Sequence, residues 1–195
     1  MAIGSMIAGG IGIAAAAGVG VSVLRAATTY KAKPMKDAEG YPVENADVER
    51  YINNLSKAIQ IPTISNFNDD LVDWSKFDEF HAFLEEAYPL IHSKLEKTII
   101  SKKSLVFHWK SAHPEKEPIC MLAHQDVVPV SKGTEEDWTY PAFSGTVADG
   151  FVWGRGALDI KNHLIGVMEA VETLLEEGYV PERDIYLCFG HNEEV

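Results

Sequence analysis

Cysteine and basic residues are both scarce in this 195-residue chain. The two cysteines, Cys120 and Cys188, lack the close spacing of a zinc-binding pair, so neither a disulfide framework nor a cysteine-ligated zinc site is indicated. They fit best as small buried strand residues, and a single bridge between neighbouring strands stays open. Lysine and arginine number 17 against 29 acidic residues, which gives a formal net charge of −12. Because nucleic-acid binding needs a clustered cationic surface, we expect no nucleic-acid partner.

A run without charged residues occupies positions 2–24, AIGSMIAGGIGIAAAAGVGVSVL. As a helix rising ~1.5 Å per residue it would span roughly 34 Å, enough to cross a membrane. We therefore predict a single-pass membrane anchor within residues 1–25, and a cleaved signal peptide is the alternative. The folded part would then be extracytoplasmic or lumenal, or else secreted. Residues 26–46 are polar and predict a linker.

Helical patterns recur over residues 47–195. Apolar residues follow helical spacing over residues 48–59 and again over residues 77–95, where Pro89 should divide the helix. A third amphipathic pattern covers residues 160–178 and should end at its final glycine. The sequence thus predicts three main helical segments.

Strand patterns lie between these helices. SLVFHWK alternates as a half-buried strand does, PICMLAH has the character of a fully buried strand, and DIYLCFG is a further strand. GTVADGFVWG predicts a hairpin with Asp149 and Gly150 in its turn. Since strands alternate with helices, we predict an α/β domain built from a layered mixed sheet with flanking helices.

Acidic residues follow three of the predicted strands. His124 and Asp126 come after PICMLAH, Glu193 and Glu194 after DIYLCFG, and Asp159 shortly after the hairpin. Ligand groups gather at the carboxyl ends of strands in α/β sheets, so these side chains should lie close together. Four neighbouring carboxylates raise one another's pKa values unless a cation neutralises them. The sequence therefore predicts a divalent metal site, and histidine and carboxylate ligands favour zinc or a related ion.

The spacing within this group suggests different roles for its members. His124 and Asp126 point to the same side of an extended chain, so Asp126 could fix the tautomer of the imidazole ring. Glu193 and Glu194 point to different sides, which suits one metal ligand and one general base for amide hydrolysis. Each residue alone also has an ordinary explanation; Asp159, for example, could cap the helix that follows it.

The motifs MLAHQDVVPV, WTYPAFSG, DGFVWGRGALDIK and FGHNEEV resemble those of the co-catalytic zinc peptidases. This family includes carboxypeptidase S, Gly-Xaa carboxypeptidase, glutamate carboxypeptidase and the aminoacylases. The resemblance covers residues 46–195 and implies a zinc-peptidase-like catalytic domain with two zinc ions. It implies that His124 binds one ion, that Asp159 bridges both and that Glu194 binds the second. It also implies that Asp126 orients His124 and that Glu193 is the general base.

The implied activity is that of a zinc-dependent carboxypeptidase or amidohydrolase that cleaves peptide or N-acyl-amino-acid amide bonds with a metal-bridged water. The family also uses a further aspartate, a distant histidine and a lid domain, which have no counterpart in the 195 residues. We therefore expect residues 47–195 to form the N-terminal portion of the catalytic domain, with weak metal binding and little turnover alone. The alternative is a non-catalytic, membrane-tethered module. Homo-oligomerisation stays open for a longer protein that includes the lid.

Overall fold

The computed structural model describes residues 17–28 and 47–195, and the chain divides into two units, Met1–Val43 and Glu44–Val195. In the first unit, residues 17–28 form helix α1, whose side chains are exposed. Among the described residues, no helix has the length and apolar character needed to cross a membrane. Most of the predicted anchor and most of the predicted linker lie outside the described residues.

The described part of the second unit contains four α-helices: α2 (Val48–Gln60), α3 (Trp74–Ala87), α4 (Pro89–Lys94) and α5 (Lys161–Glu176). The carboxylates of Asp47 and Asp73 accept backbone hydrogen bonds and thereby cap α2 and α3. Pro89 begins α4, because a proline is tolerated in the first turn of a helix but not in its interior. Gly178, just beyond α5, has a φ of +73°, which favours glycine at this end. Short 3₁₀ helices occupy Asp69–Leu71 and Glu135–Asp137.

Six strands follow in chain order: β1 (Glu96–Ile100), β2 (Ser104–Trp109), β3 (Ile119–His124), β4 (Val147–Ala148), β5 (Phe151–Val152) and β6 (Ile185–Gly190). The main sheet has the order β1-β2-β6-β3, in which β3 is parallel to β6 and the other pairs are antiparallel. His124 pairs with Gly190, so the carboxyl ends of β3 and β6 meet at one edge of the sheet. The mixed sheet agrees with the sequence prediction.

Strands β4 and β5 form the predicted hairpin. Asp149 and Gly150 in its turn have φ values of +54° and +81°. A two-residue turn with both central residues at positive φ matches the right-handed twist of the flanking strands, which is why Asp-Gly is favoured here. The hairpin leads directly into the loop that carries Asp159.

One face of the main sheet packs against the helices. Alternate side chains of β2 and β6, among them Leu187 and Phe189, are buried in one cluster with residues of α2, α3, α4 and α5. Strand β3 differs from the expectation of a fully buried strand, because Leu122 is 66% exposed and Ile119 and Met121 are exposed as well. That prediction was wrong because β3 is at the sheet edge, with β6 as its neighbour on one side.

The two cysteines lie on adjacent strands. Cys120 on β3 and Cys188 on β6 are free thiols with their Sγ atoms 3.6 Å apart. Burial raises the pKa of Cys188 to about 11, and the hydrogen bond from Cys120 acts in the same direction. Cys120 is exposed rather than buried as expected, since it belongs to the edge strand.

A polar network connects α2, α5 and the start of α4. Glu169 of α5 accepts hydrogen bonds from Asn54 at 2.7 Å and from Tyr88 at 2.9 Å, and it pairs with Arg50 at 2.6 Å. Glu172, one turn later, accepts two backbone hydrogen bonds at the N-terminus of α4. Buried carboxylates are tolerated only when they are paired and hydrogen-bonded, so this network fixes how the helices pack.

Candidate metal centre

His124 is the last residue of β3, and its side chain is 8% exposed. Its Nδ1 lies 3.0 Å from the backbone oxygen of Asp126. Because a carbonyl oxygen only accepts hydrogen bonds, Nδ1 carries the ring proton and Nε2 presents its lone pair. That lone pair faces Oδ1 of Asp159 at 3.1 Å and Oε2 of Glu193 at 3.6 Å.

Electron-rich atoms therefore surround Nε2 of His124. This arrangement is unfavourable unless a cation, either a proton or a metal ion, lies between them. Within the described residues, His124, Asp159 and Glu194 each offer a ligand atom, and these atoms all lie within 4.8 Å of one another. One imidazole nitrogen and two carboxylate oxygens are donors that zinc accepts in catalytic sites. The residues present thus fit a divalent metal ion.

The electrostatics of Glu194 agree with this fit. Burial raises the pKa of the Glu194 carboxyl, and the nearby carboxylate of Asp159 raises it further. Both effects disfavour the charged form of a carboxyl group, and a bound cation would favour it. Glu194 therefore has the environment expected of a carboxylate that awaits a positive partner.

Asp126 lies behind the site, and its side chain is 0% exposed. Its Oδ1 accepts a hydrogen bond from the backbone N–H of Glu193, and its Oδ2 accepts one from Glu194, both at 3.1 Å. The carboxylate is 3.4 Å from Nδ1 of His124, farther than the backbone oxygen of the same residue. The structure thus adds a role that the sequence did not indicate, the anchoring of the paired glutamates. Orientation of His124 by this carboxylate stays a prediction.

Asp159 lies in the loop before α5, and its side chain is 73% exposed. Helix α5 has Ile160 as its N-cap residue and no side-chain capping hydrogen bond. The alternative explanation of Asp159 as a helix cap is therefore wrong. The peptide bond between Asp159 and Ile160 is cis.

The loop that leads to Asp159 passes close to neighbouring segments at two glycines. A Cβ at Gly154 (φ +149°) would lie 2.4 Å from Cγ2 of Ile59, and one at Gly156 (φ +84°) would lie 2.8 Å from Cγ1 of Val127. Any larger residue would push the loop away from the sheet end. These glycines shape the loop, in agreement with their interpretation from the motif.

Two buried polar residues beside the site have no counterpart among the sequence predictions. Lys161 is fully buried, and its Nζ donates to the backbone oxygens of Ala58 at 2.8 Å and Ile61 at 2.6 Å. Burial lowers its pKa to about 7, and the charge of Asp126 opposes that change. The spacing contained a signal, because Lys161 lies one turn before Leu164 on the apolar stripe of α5.

Gln125 is the second such residue. It lies between His124 and Asp126, is fully buried, and forms hydrogen bonds with groups from distant parts of the chain. Because those partners are remote in sequence, no local pattern distinguishes this glutamine from an ordinary loop residue.

Comparisons with known proteins agree with this site. Residues 120–195 match the model of Peptidase family M20/M25/M40. Carboxypeptidase S of Saccharomyces cerevisiae is 39% identical over 150 residues, which cover 73% of this chain and 26% of that protein. An N-fatty-acyl-amino acid synthase/hydrolase of Mus musculus is 36% identical over 172 residues, which cover 86% of this chain and 33% of that protein. The resemblance indicated by the motifs is thereby confirmed, and residues 120–195 belong to this peptidase family.

A solved structure shows the same fold. An M20 family metallo-carboxypeptidase from Sulfolobus solfataricus aligns with a TM-score of 0.59 at 19% identity, over 74% of this chain and 31% of that one. At this identity the likeness establishes the fold alone, an α/β arrangement with a mixed sheet. The chain spans 26% of carboxypeptidase S and 33% of the mouse protein.

Proposed function

We propose that this chain supplies part of the active site of a metal-dependent hydrolase that cleaves amide bonds in peptides or N-acyl amino acids. One observation carries the proposal: Nε2 of His124 presents its lone pair to Asp159, within a group that also includes Glu194. Membership of residues 120–195 in a peptidase family supports the same reaction class.

His124, Asp159 and Glu194 are the residues that would hold the metal. We propose zinc, with two ions in a complete site, Asp159 between them and His124 and Glu194 on one ion each. Zinc bound there would supply a Lewis acid that polarises the amide carbonyl and lowers the pKa of the attacking water. The exposed carboxylate of Asp159 is free to turn toward either ion, which supports its assignment as the bridging residue.

Glu193 is the proposed general base. Its side chain is 65% exposed, whereas its backbone N–H is held by the buried carboxylate of Asp126. A fixed backbone with a free carboxylate suits a group that takes a proton from water and transfers it to the leaving amine nitrogen. In this proposal Asp126 positions Glu193 and does not itself react.

The relatives indicate two substrate classes. One is named a carboxypeptidase and the other a synthase/hydrolase of N-fatty-acyl amino acids. Both names are compatible with one reaction, hydrolysis of the amide bond next to a free amino-acid carboxylate. We propose this bond as the substrate feature that the whole protein recognises.

The location of the protein is a separate proposal. Membrane attachment through residues 2–24, an extracytoplasmic or lumenal location and a homo-oligomeric state all rest on the sequence and the family. Retention of the natural protein in the membrane fraction after alkaline extraction is the expected result for an anchored protein. Release into the soluble fraction would favour the secreted alternative.

Hydrolysis of an N-blocked dipeptide and of an N-fatty-acyl amino acid by the protein isolated from its natural source tests the proposed reaction. We expect release of the amino acid to stop with a chelator and to return with zinc. Glu193→Gln should abolish turnover but retain zinc, measured by elemental analysis. The exposed Glu177→Gln is the matched control and should retain both. Full activity in Glu193→Gln, or activity that chelation does not change, would refute the proposal.

A further inference from the structure

Gln125 connects the strand ends that carry the candidate metal centre. Its side chain is fully buried. Nε2 donates hydrogen bonds to the backbone oxygens of Lys103 and Phe189, each at 2.8 Å. Because carbonyl oxygens only accept hydrogen bonds, these contacts fix the orientation of the amide. Its Oε1 then accepts a hydrogen bond from Nε2 of His81 at 2.7 Å.

These three bonds connect the end of β3 to three separate elements, namely β6, the β1–β2 turn and helix α3. The backbone of Gln125 adds two more bonds: its N–H donates to Gly190 at 2.8 Å, and its carbonyl accepts from the hydroxyl of Thr63 at 2.5 Å. Every polar group of this residue therefore has a partner in a place without access to water, which is the condition for a rigid buried connection.

The neighbours of Gln125 are the residues that the proposed metal centre needs. His124 precedes it, and Asp126 follows it and anchors the backbone of Glu193 and Glu194. We propose that Gln125 is a positioning residue that sets the separation between His124 and Glu194 and thereby the zinc affinity. This inference rests on the proposed metal centre, because Gln125 itself touches neither the ligand atoms nor the space between them.

The location of β3 makes such a connection necessary. Among the described strands β3 has β6 as its single neighbour, so the carboxyl end of β3 is held from one side of the sheet only. Without the amide of Gln125, the backbone oxygens of Lys103 and Phe189 would lose a buried hydrogen bond each, and the strand end would relax to recover them. A shift of that kind would move His124 relative to Glu194 while the distant helices stayed in place.

Zinc affinity of the 195-residue chain, measured by competition with a chromogenic chelator, tests the inference. Gln125→Met keeps the side-chain length and removes all three side-chain bonds, so it should weaken zinc binding by roughly 10- to 100-fold, as loss of ligand-orienting groups does. Glu169→Gln is the matched control, because it disturbs buried hydrogen bonds and an ion pair in the remote network. That control should lower the unfolding midpoint without changing the zinc affinity.

His81→Phe provides a second variant that removes one of the three bonds. It should weaken zinc binding by a smaller factor than Gln125→Met, and it decides the question if Gln125→Met does not fold. Hydrogen exchange adds a readout without metal: the amides of Glu193 and Glu194 should exchange faster in the His81 and Gln125 variants but not in Glu169→Gln.

The outcomes separate this inference from the proposed function. A wild-type chain that binds no zinc would refute the metal centre, and the positioning role with it. A wild-type chain that binds zinc, together with Gln125 and His81 variants that bind it equally well, would refute the positioning role alone.

Discussion

The candidate metal centre has a buried half and an exposed half. His124 and Asp126 have side chains that are 8% and 0% exposed, and both form hydrogen bonds within the fold. Asp159 and Glu193 are 73% and 65% exposed, and their carboxylates face the lone pair of the same histidine. The buried half is therefore fixed by folding itself, whereas the exposed half is completed only by a cation.

This difference teaches that stability and function should respond to different residues of one site. A buried carboxylate must keep its hydrogen bonds, so its loss should destabilise the fold. An exposed carboxylate is solvated in both the folded and the unfolded chain, so its loss should change binding and chemistry alone.

The largest expected effect comes from the exposed half. Glu193→Gln in the natural protein should lower turnover by roughly 10²- to 10⁴-fold, because it removes the proposed proton acceptor. Its free energy of unfolding should stay within about 0.5 kcal/mol of the wild-type value, since the side chain is exposed. Steady-state kinetics and urea unfolding of the same preparation check both parts. A large loss of stability in this variant would erase the proposed difference between the halves.

Asp126→Ala should have the largest effect on stability. It leaves the buried N–H groups of Glu193 and Glu194 without their partner, so we expect the metal-free chain to lose about 2–3 kcal/mol. Asp126→Asn keeps one acceptor oxygen and should lose less. Urea unfolding in the presence of a chelator provides the measurement, and an unchanged midpoint in Asp126→Ala would show that these hydrogen bonds do not stabilise the fold.

Zinc should stabilise the chain through the exposed half. At a free concentration 100 times the Kd, binding to the folded state adds about 2.7 kcal/mol to the free energy of unfolding. Asp159→Asn should reduce this gain and leave the metal-free stability unchanged, because Asp159 is exposed. Thermal unfolding with and without zinc compares the two chains. Equal stabilisation of both would exclude Asp159 as a ligand.

The smallest expected effect is a pH dependence in the support of the buried half. Burial lowers the pKa of His81 below its usual value of 6.5, and the hydrogen bond with Gln125 opposes this change. The unfolded chain then binds the proton more tightly, so this contribution is fully present above pH 6.5 and decreases as the pH falls through that value toward the lowered pKa. His81→Phe should flatten the pH dependence of urea unfolding below pH 6.5, whereas His113→Phe at an exposed position should leave it unchanged.

Local patterns predicted the helices and the hairpin because the responsible residues are neighbours in sequence. Pro89 divides α3 from α4, and Asp149 with Gly150 forms the predicted turn. Strand β1 (Glu96–Ile100) has no counterpart among the predicted strands, since its five residues are all exposed and show no alternation of burial. The exposure of β3 depends on which strands flank it, and this is a property of the sheet order rather than of the segment.

The site was predictable to the extent that it follows strand ends. The sequence placed His124, Asp159 and Glu194 at such ends, and the structure brings their ligand atoms together. The supporting contacts were not predictable, because Gln125 and Lys161 bond to backbone oxygens of segments that only the folded chain brings near. Hydrogen bonds to backbone oxygens place no demand on residue type and so leave no mark on the sequence.

Anomalous X-ray scattering at the zinc absorption edge, from crystals of the chain grown with zinc, tests the metal centre most directly. We expect a peak about 2.0–2.2 Å from Nε2 of His124 and from carboxylate oxygens of Asp159 and Glu194. A zinc peak elsewhere, with none between these three side chains, would contradict the assignment of this strand edge as a metal centre.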